Sequence, residues 1–560
     1  MRLVVVSLWA LGVAGLGCAD VLGLGQYDTG GSGGSGAAST TGGGGTGAGD
    51  TGGTGTTAMG GGGTGGTTMS AGGTGGGTTT TDTTTDTTTT TDTTTTTGTV
   101  ACVPATEICE TAADEDCDGT GKCNGAHRWS QLFGAGGVEE GFAVAVTSKG
   151  EVVIGGRTAS PTVNFGDGAH TNKGSSDAFV LKLDASGELL WSKTFGSAVA
   201  DRVTGVAVDT SGHVFIGGFG GNVDFDGTVV SVAGAQDAFV AKLSPEGAVI
   251  WAQAYGGTDI DEISGVAISS TGDLAVTGGY KGSAVSFGGK PLLNAGVEYN
   301  VLIGLIDGSD AGGGAVKWAK GYGDGAVQYG RAVGVDPSTG DVVLAADTAG
   351  QIAYGGPVLP SSGGTDITVA RLAAADGAYL WANRYGDDAE QSVSALAIGN
   401  GGAITLVGTV AGAVDFGAGV LAGTDNDVAV WQLSSGGMLA WAARPVVNGS
   451  QFGQGVTVDP LGYVVVAGSF NPSFDLSGGV APLSSPAAQF NRFVAKLGPT
   501  GQFMWQRGFG NSDGAYSFVA AGPLGEIALT GGLKGASDFG GGTLLSTSGS
   551  LDCPAVLLAP

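Results

Sequence analysis

Aromatic residues are missing from a long stretch of this sequence. No Phe, Trp or Tyr occurs between Tyr27 and Trp129. A segment built that way cannot bury enough apolar surface to offset its chain entropy. Basic residues are scarce: 22 Lys and Arg stand against 50 Asp and Glu, a net charge of −28. That sign argues against nucleic acid and anionic lipid surfaces as partners. Only three His are present, His127, His170 and His213. None falls in a recognisable Ser–His–Asp or multi-His motif, which argues against a hydrolase triad and a histidine metal centre. Mean hydropathy is positive, yet beyond the N-terminus no apolar run approaches the roughly 18 residues that span a bilayer. The Gly-rich runs are not phosphate loops, because no Gly-Lys-Ser/Thr follows them.

The N-terminus reads "MRLVVVSLWALGVAGLGC". Arg2, an apolar run from Leu3 and then small residues make residues 1–18 a signal peptide. Cys18 after "GLG" resembles the lipobox of bacterial lipoproteins, with Gly15 where Leu is usual. The resemblance implies lipid attachment at Cys18 and display at the outer membrane or cell surface, with membrane contact only through the lipid. Cleavage after Ala19 and free secretion is the alternative. Residues 19–100 are almost all Gly, Thr, Ser and Ala and read as a disordered linker. At about 5–6 Å × √n its aromatic-free part spans on the order of 45–50 Å.

Residues 101–126 carry Cys102, Cys109, Cys117 and Cys123. Four cysteines this close in an exported chain imply two disulfides, with three pairings open. Within them "DEDCDG" sets Asp114, Asp116 and Asp118 at alternate positions before Gly119, like the first half of a calcium loop. Gly125 stands where such a loop carries its closing Glu. The segment also resembles the cysteine-rich metal-binding motif of bacterial surface proteins, through Cys102, Pro104, Glu107, Cys109, Cys117, Asp118 and Gly119. Glu110–Thr111 replaces its usual Asp-Gly. Ca2+ is the one candidate cofactor, and a purely structural disulfide knob is the alternative.

The remaining residues, 127–560, repeat. Trp129, Trp191, Trp251, Trp318, Trp381, Trp441 and Trp505 recur at one period of roughly 60 residues. Each unit has a small-residue strand ("GVAVD", Gly205), a polar turn, a "VFIGG"-like strand, a short "VDFG"-like element, a "DAFVAKL" strand and the Trp strand. Short β-branched and aromatic runs bounded by Gly, Ser and Asp are strands in tight hairpins. Seven four-stranded units predict an all-β, seven-bladed β-propeller, with the small-residue strand innermost and the Trp strand outermost. The C-terminal unit offers three strands, ending near Asp552–Leu558. "HRWSQLFG" at 127–134 offers the fourth, so the two predict one closed blade with no exposed edge. The repeats resemble the bacterial SBBP-type β-propeller family, through "DAFVAKL", the aromatic strand and "GVAVD". The resemblance implies architecture and export, and names no chemistry. Cys553 takes the place of Ala178 and Ala238, which predicts a buried free thiol.

The acids Asp177, Asp237, Asp366, Asp427 and Asp552 recur at one strand start, so a structural role accepting backbone N–H groups is expected of them. A catalytic pair would instead break the repeat. The composite expectation is a non-catalytic, monomeric binding or scaffolding lipoprotein whose partner is a surface glycan or a protein. A polysaccharide hydrolase or lyase using channel carboxylates, or an envelope-assembly partner, are the alternatives.

Overall fold

The computed structural model describes residues 105, 108–109, 123–282, 285–292, 296–423, 426–445, 447–486, 489–510 and 512–560. Cys18, the tract 19–100, Cys102, Asp114, Asp116, Cys117 and Asp118 lie outside them. Among the described residues no helix is long and apolar enough to cross a membrane.

Seven antiparallel sheets, each of four main strands in the order A-B-C-D, form the seven blades. In blade 1 these are Glu139–Val146, Val152–Thr158, Asp177–Leu183 and Leu189–Phe195. Blades 2 to 6 follow the same plan, their A strands being Arg202–Val208, Asp261–Ile268, Gln328–Val335, Gln391–Ile398 and Gly449–Val458. Each A strand lies against the A strand of the next blade, so these strands ring the axis. Blade 7 is composite. Ser512–Ala521, Ile527–Asp538 and Cys553–Leu558 supply A, B and C, and His127–Phe133 supplies D. Trp129 pairs with Leu557 and Phe133 with Cys553 in antiparallel register. The predicted closure is therefore present.

The core lies between blades rather than within one sheet. Phe195 of blade 1 meets Phe225 of blade 2, which in turn meets Phe239 of the same blade, and Tyr255 of blade 2 stacks on Phe287 of blade 3 at 4.3 Å. The "VDFG" elements form short ribbons, such as Asp224–Phe225 paired with Thr228–Val229. Their Phe rings point inward as the plugs of these clusters. Cys553 is fully buried and free, as the sequence implied.

The repeated Trp docks forward, onto its successor. The Trp191 indole N–H donates to the Pro245 carbonyl in the C–D turn of blade 2, at 2.9 Å. Trp129, Trp318 and Trp381 donate likewise to Ala185, Ala374 and Ser435. The ring lies over the turn glycine two or three residues on. A Cβ on Gly247 would stand 2.8 Å from Trp191, and its φ of +86° is a left-handed value that L side chains resist. The C-strand cation shares the same acceptor: Lys182 Nζ reaches Pro245 O at 3.0 Å, and Arg371 Nη1 reaches Ser435 O at 3.0 Å.

At the seam this turn is assembled from distant segments. Gly125, with φ +62°, lies under Trp505. Its N–H donates to the Pro560 carbonyl at 3.2 Å, and Ala559 N–H donates to Ala126 O at 2.7 Å. Arg507 Nε donates to Asn124 O at 2.6 Å. Cys123, bonded to Cys109, packs against the same cluster as Trp505. The structure forms a Cys109–Cys123 disulfide, one of the bonds the sequence left open, and it fastens that segment to the seam.

Candidate functional site

The axis opens on two faces of different character. One face carries the tight A–B and C–D turns. Its mouth is a shallow polar cavity of about 340 Å³ lined by the A–B turns of blades 1, 5, 6 and 7, including Thr147, Ser148, Asn400 and Pro523. The only carboxylate in that lining, Asp459, is turned inward against Lys496 at 3.2 Å, and both side chains are fully buried.

The other face carries the longer B–C and D–A loops, and here the repeated acids sit. Asp177 accepts the Lys173 N–H at 3.0 Å, Asp237 that of Ala233 at 2.7 Å and Asp366 that of Ser362 at 3.0 Å. Asp552 accepts the Thr547 N–H at 2.7 Å. Asp427 is held by Arg444 at 2.9 Å. The first four do the loop-tying work the sequence implied.

The repeat breaks one step inward, at a residue near the start of the A strands and at the β-bulge that follows two residues on. These positions read Glu140 and Phe142, Arg202 and Thr204, Glu262 and Ser264, Tyr329 and Arg331, Ser392 and Ser394, Phe452 and Gln454. The small bulge residues stitch blades: Thr204 Oγ1 donates to Ile263 O, and Ser264 Oγ to Gly330 O at 2.6 Å. The larger ones build a collar. Arg202 lies over the rings of Phe142 and Phe219 at 4.7 and 4.9 Å. Glu262 accepts from Tyr329 at 2.7 Å and Tyr299 at 3.4 Å. Burial pushes the Glu262 carboxyl up, against the pull of the Tyr329 hydrogen bond and of Arg202. Arg331 Nε donates to Asp347 at 2.7 Å, and Arg157 pairs with Glu140 at 2.7 Å. Lys281 lies 4.0 Å over Tyr299. In blade 6 Phe452 meets Phe490, which is 37% exposed. Sequence reasoning missed these residues, and the available signal was their departure from the repeat at one strand position.

The structure gives His170 partners that the sequence did not show. It brings together Asp167, His170 and Ser192 at the rim of blade 1. His170 Nε2 lies 2.7 Å from Ser192 Oγ, which donates to Asp167 Oδ1 at 2.5 Å. A hydrolase triad needs the carboxylate on the other ring nitrogen, to hold the tautomer. Here Asp167 sits on the Nε2 side at 3.4 Å, and Nδ1 faces Thr194. Burial would raise the Asp167 pKa, but the Ser192 and His170 hydrogen bonds hold it below the ordinary value. This geometry ties a ribbon to a strand and does not activate the serine. His213 bonds Asp209 within its own turn, and His127 bonds Ser130. Among the described residues no group of three or more His, Cys, Asp or Glu is arranged to hold a metal.

No family model matches the chain. A stretch of 146 residues is 32% identical to the regulatory protein FlaEY of Caulobacter vibrioides. It covers 25% of this chain and 15% of the length of that curated relative. Among solved structures, the Pan2 WD40 domain of Neurospora crassa is similar at 12% identity and a TM-score of 0.39, over 78% of this chain and 98% of that one. The quinohemoprotein alcohol dehydrogenase of Comamonas testosteroni is similar at 11% identity and a TM-score of 0.38, over 78% and 76%. Likeness at that level assigns no chemistry.

Proposed function

We propose that this chain is a non-catalytic binding or scaffolding lipoprotein of the SBBP-type propeller group. In this reading it is exported, held at the cell surface through Cys18 and the 19–100 tether, and binds a surface glycan or a protein at the loop-bearing mouth. One observation carries the reading. The loops and turns keep the repeat, while the collar abandons it for Arg202, Glu262, Tyr299, Tyr329 and Phe452, which meets the exposed Phe490. Aromatic rings beside fixed polar groups on a rigid scaffold suit recognition.

The test is thermal melting of the full chain against cell-surface glycans, with Phe490→Ala and Tyr299→Ala in parallel. A ligand at a hundred times its Kd stabilises by about 2.7 kcal/mol. A glycan shift lost in both variants, with their unliganded Tm unchanged, supports the mouth. A shift retained in both variants removes the site from that face, and a flat panel moves the search to protein partners. Cys18→Ser tests the anchor separately, because retention in the membrane fraction would refute lipidation. Glu262, with its raised pKa and two tyrosine donors, supports a second reading as a polysaccharide-cleaving enzyme. Glu262→Gln would then keep glycan binding and abolish product release.

A further inference from the structure

Six blade junctions repeat one main-chain contact on the loop face. An N–H at the start of strand A donates to the carbonyl just before strand C of the preceding blade. The donors are Glu139, Asp201, Asp261, Gln328, Gln391 and Gln451, at 2.8 to 3.2 Å. This bond sets the first side chain of strand A beside the first residue of that strand C or the Asp that precedes it. The resulting pairs are Glu139 with Asp552, Asp201 with Asp177, Asp261 with Asp237, Gln328 with Asn300, Gln391 with Asp366 and Gln451 with Asp427.

Charge is handled differently around the ring. Asn300 with Gln328 carries no acid. Asp366 and Asp427, each with a Gln partner, have an arginine from the same D-strand position, Arg384 and Arg444. Where both members are acids, that position holds Leu132, Thr194 or Ala254, and no arginine arrives. All six of these acids are buried. At Asp237–Asp261 the two carboxyls converge over Gly256: Asp237 Oδ1 and Asp261 Oδ2 each lie 2.7 Å from the point its Cβ would occupy. Asp237 Oδ1 accepts no hydrogen bond from the described residues. An orphaned carboxylate oxygen facing a second buried carboxyl is where a shared proton belongs.

We propose that Asp237 and Asp261 hold one proton between their carboxyls, making the junction of blades 2 and 3 a pH-sensitive joint of the ring. Above neutral pH the proton leaves and two buried carboxylates face each other. The loop-face junction between these blades then loosens. The surrounding groups do not supply a compensating cation. The Ala233 and Gly257 N–H groups donate to Asp237 and Asp261, and Asp259, Tyr280, Tyr299 and the Lys281 N–H surround Asp261. The Lys281 ammonium lies over the Tyr299 ring. Consistent with this, burial, with Asp237 and Asp259 adding to it, lifts Asp261 to about 7.

The test is the Tm of the full chain from pH 5 to pH 8. Wild type should fall by a few degrees. Asp261→Asn should flatten that fall, and Asp388→Asn, an exposed acid of the arginine-bearing 4/5 junction, should leave it unchanged. Parallel curves for wild type and Asp261→Asn, or equal flattening by both variants, would overturn the proposal. Should Asp261→Asn fail to fold, Ala254→Arg supplies the missing cation. It should raise the Tm more at pH 8 than at pH 5, and an equal or absent gain refutes the idea.

Discussion

Replacing Phe133 by Ala asks whether the N-terminal strand is a structural member of the ring or an appendage. Phe133 ends strand D of blade 7 and is 7% exposed, with its ring 6.1 Å from Phe165. Phe195 holds the same position in blade 1 and is fully buried, 4.8 Å from Phe225. Truncating a buried Phe to Ala costs about 3–5 kcal/mol. If the closing strand carries equal weight, both variants lose about that much. At ~2.1 cal/mol/K per residue, a domain of roughly 430 residues has an unfolding entropy near 0.9 kcal/mol/K, so ~4 kcal/mol lowers the Tm by about 4–5 °C. Differential scanning calorimetry of wild type, Phe133→Ala and Phe195→Ala reads this directly. A Phe133→Ala Tm within about 1 °C of wild type, beside a normal drop for Phe195→Ala, would refute the closure reasoning.

Further outcomes follow from buried charge and the thiol. Asp459→Asn should cost about 3–5 kcal/mol in urea melts, because it leaves the Lys496 ammonium buried without its carboxylate. Asp261 binds its proton more tightly folded than unfolded, so its contribution to stability is complete below pH 4 and lost as pH rises through about 7. At ~1.4 kcal/mol per unit that loss is on the order of 4 kcal/mol, and pH-dependent urea midpoints should decline across that window rather than rise. The Cys553 thiol, fully buried and pushed up to about 12, should resist maleimide at pH 8 in the folded chain and label fully in urea.

Seven tryptophans at one spacing carried the blade count, and the complementary fragments at 127–134 and 552–558 carried the closure. Both were legible because strand pattern and repeat are local properties of the chain. The loop-tying role of Asp177 and Asp237 was legible for the same reason, since recurrence marks structure. What each Trp rests on was not. Trp191 and Gly247 belong to successive units, and both recur, so no single unit reveals that one sits on the other. The collar was hidden differently. Arg202, Glu262, Tyr329 and Phe452 are dissimilar, and only the β-bulge register shows that they share one level of the axis. The meeting of His170 with Asp167 and Ser192 depends on a ribbon folding back over strand D, which spacing alone does not encode. Trp505 and the Cys109–Cys123 bond together show where the cysteine segment packs: at the seam.

The forward docking of each tryptophan gives the ring a direction, and direction has consequences for how it is made. Trp129, Trp191, Trp318 and Trp381 each need a turn that is synthesised after them, while Trp505 rests on Gly125, which is made long before it. Strand 127–133 emerges early and has no partner until strand 553–558 arrives, so a nascent chain holds one open edge for nearly the whole of its synthesis. A product truncated anywhere in between keeps that edge and cannot bury it. Closure of the ring therefore waits for strand 553–558, and until that strand arrives strand 127–133 is an unpaired edge.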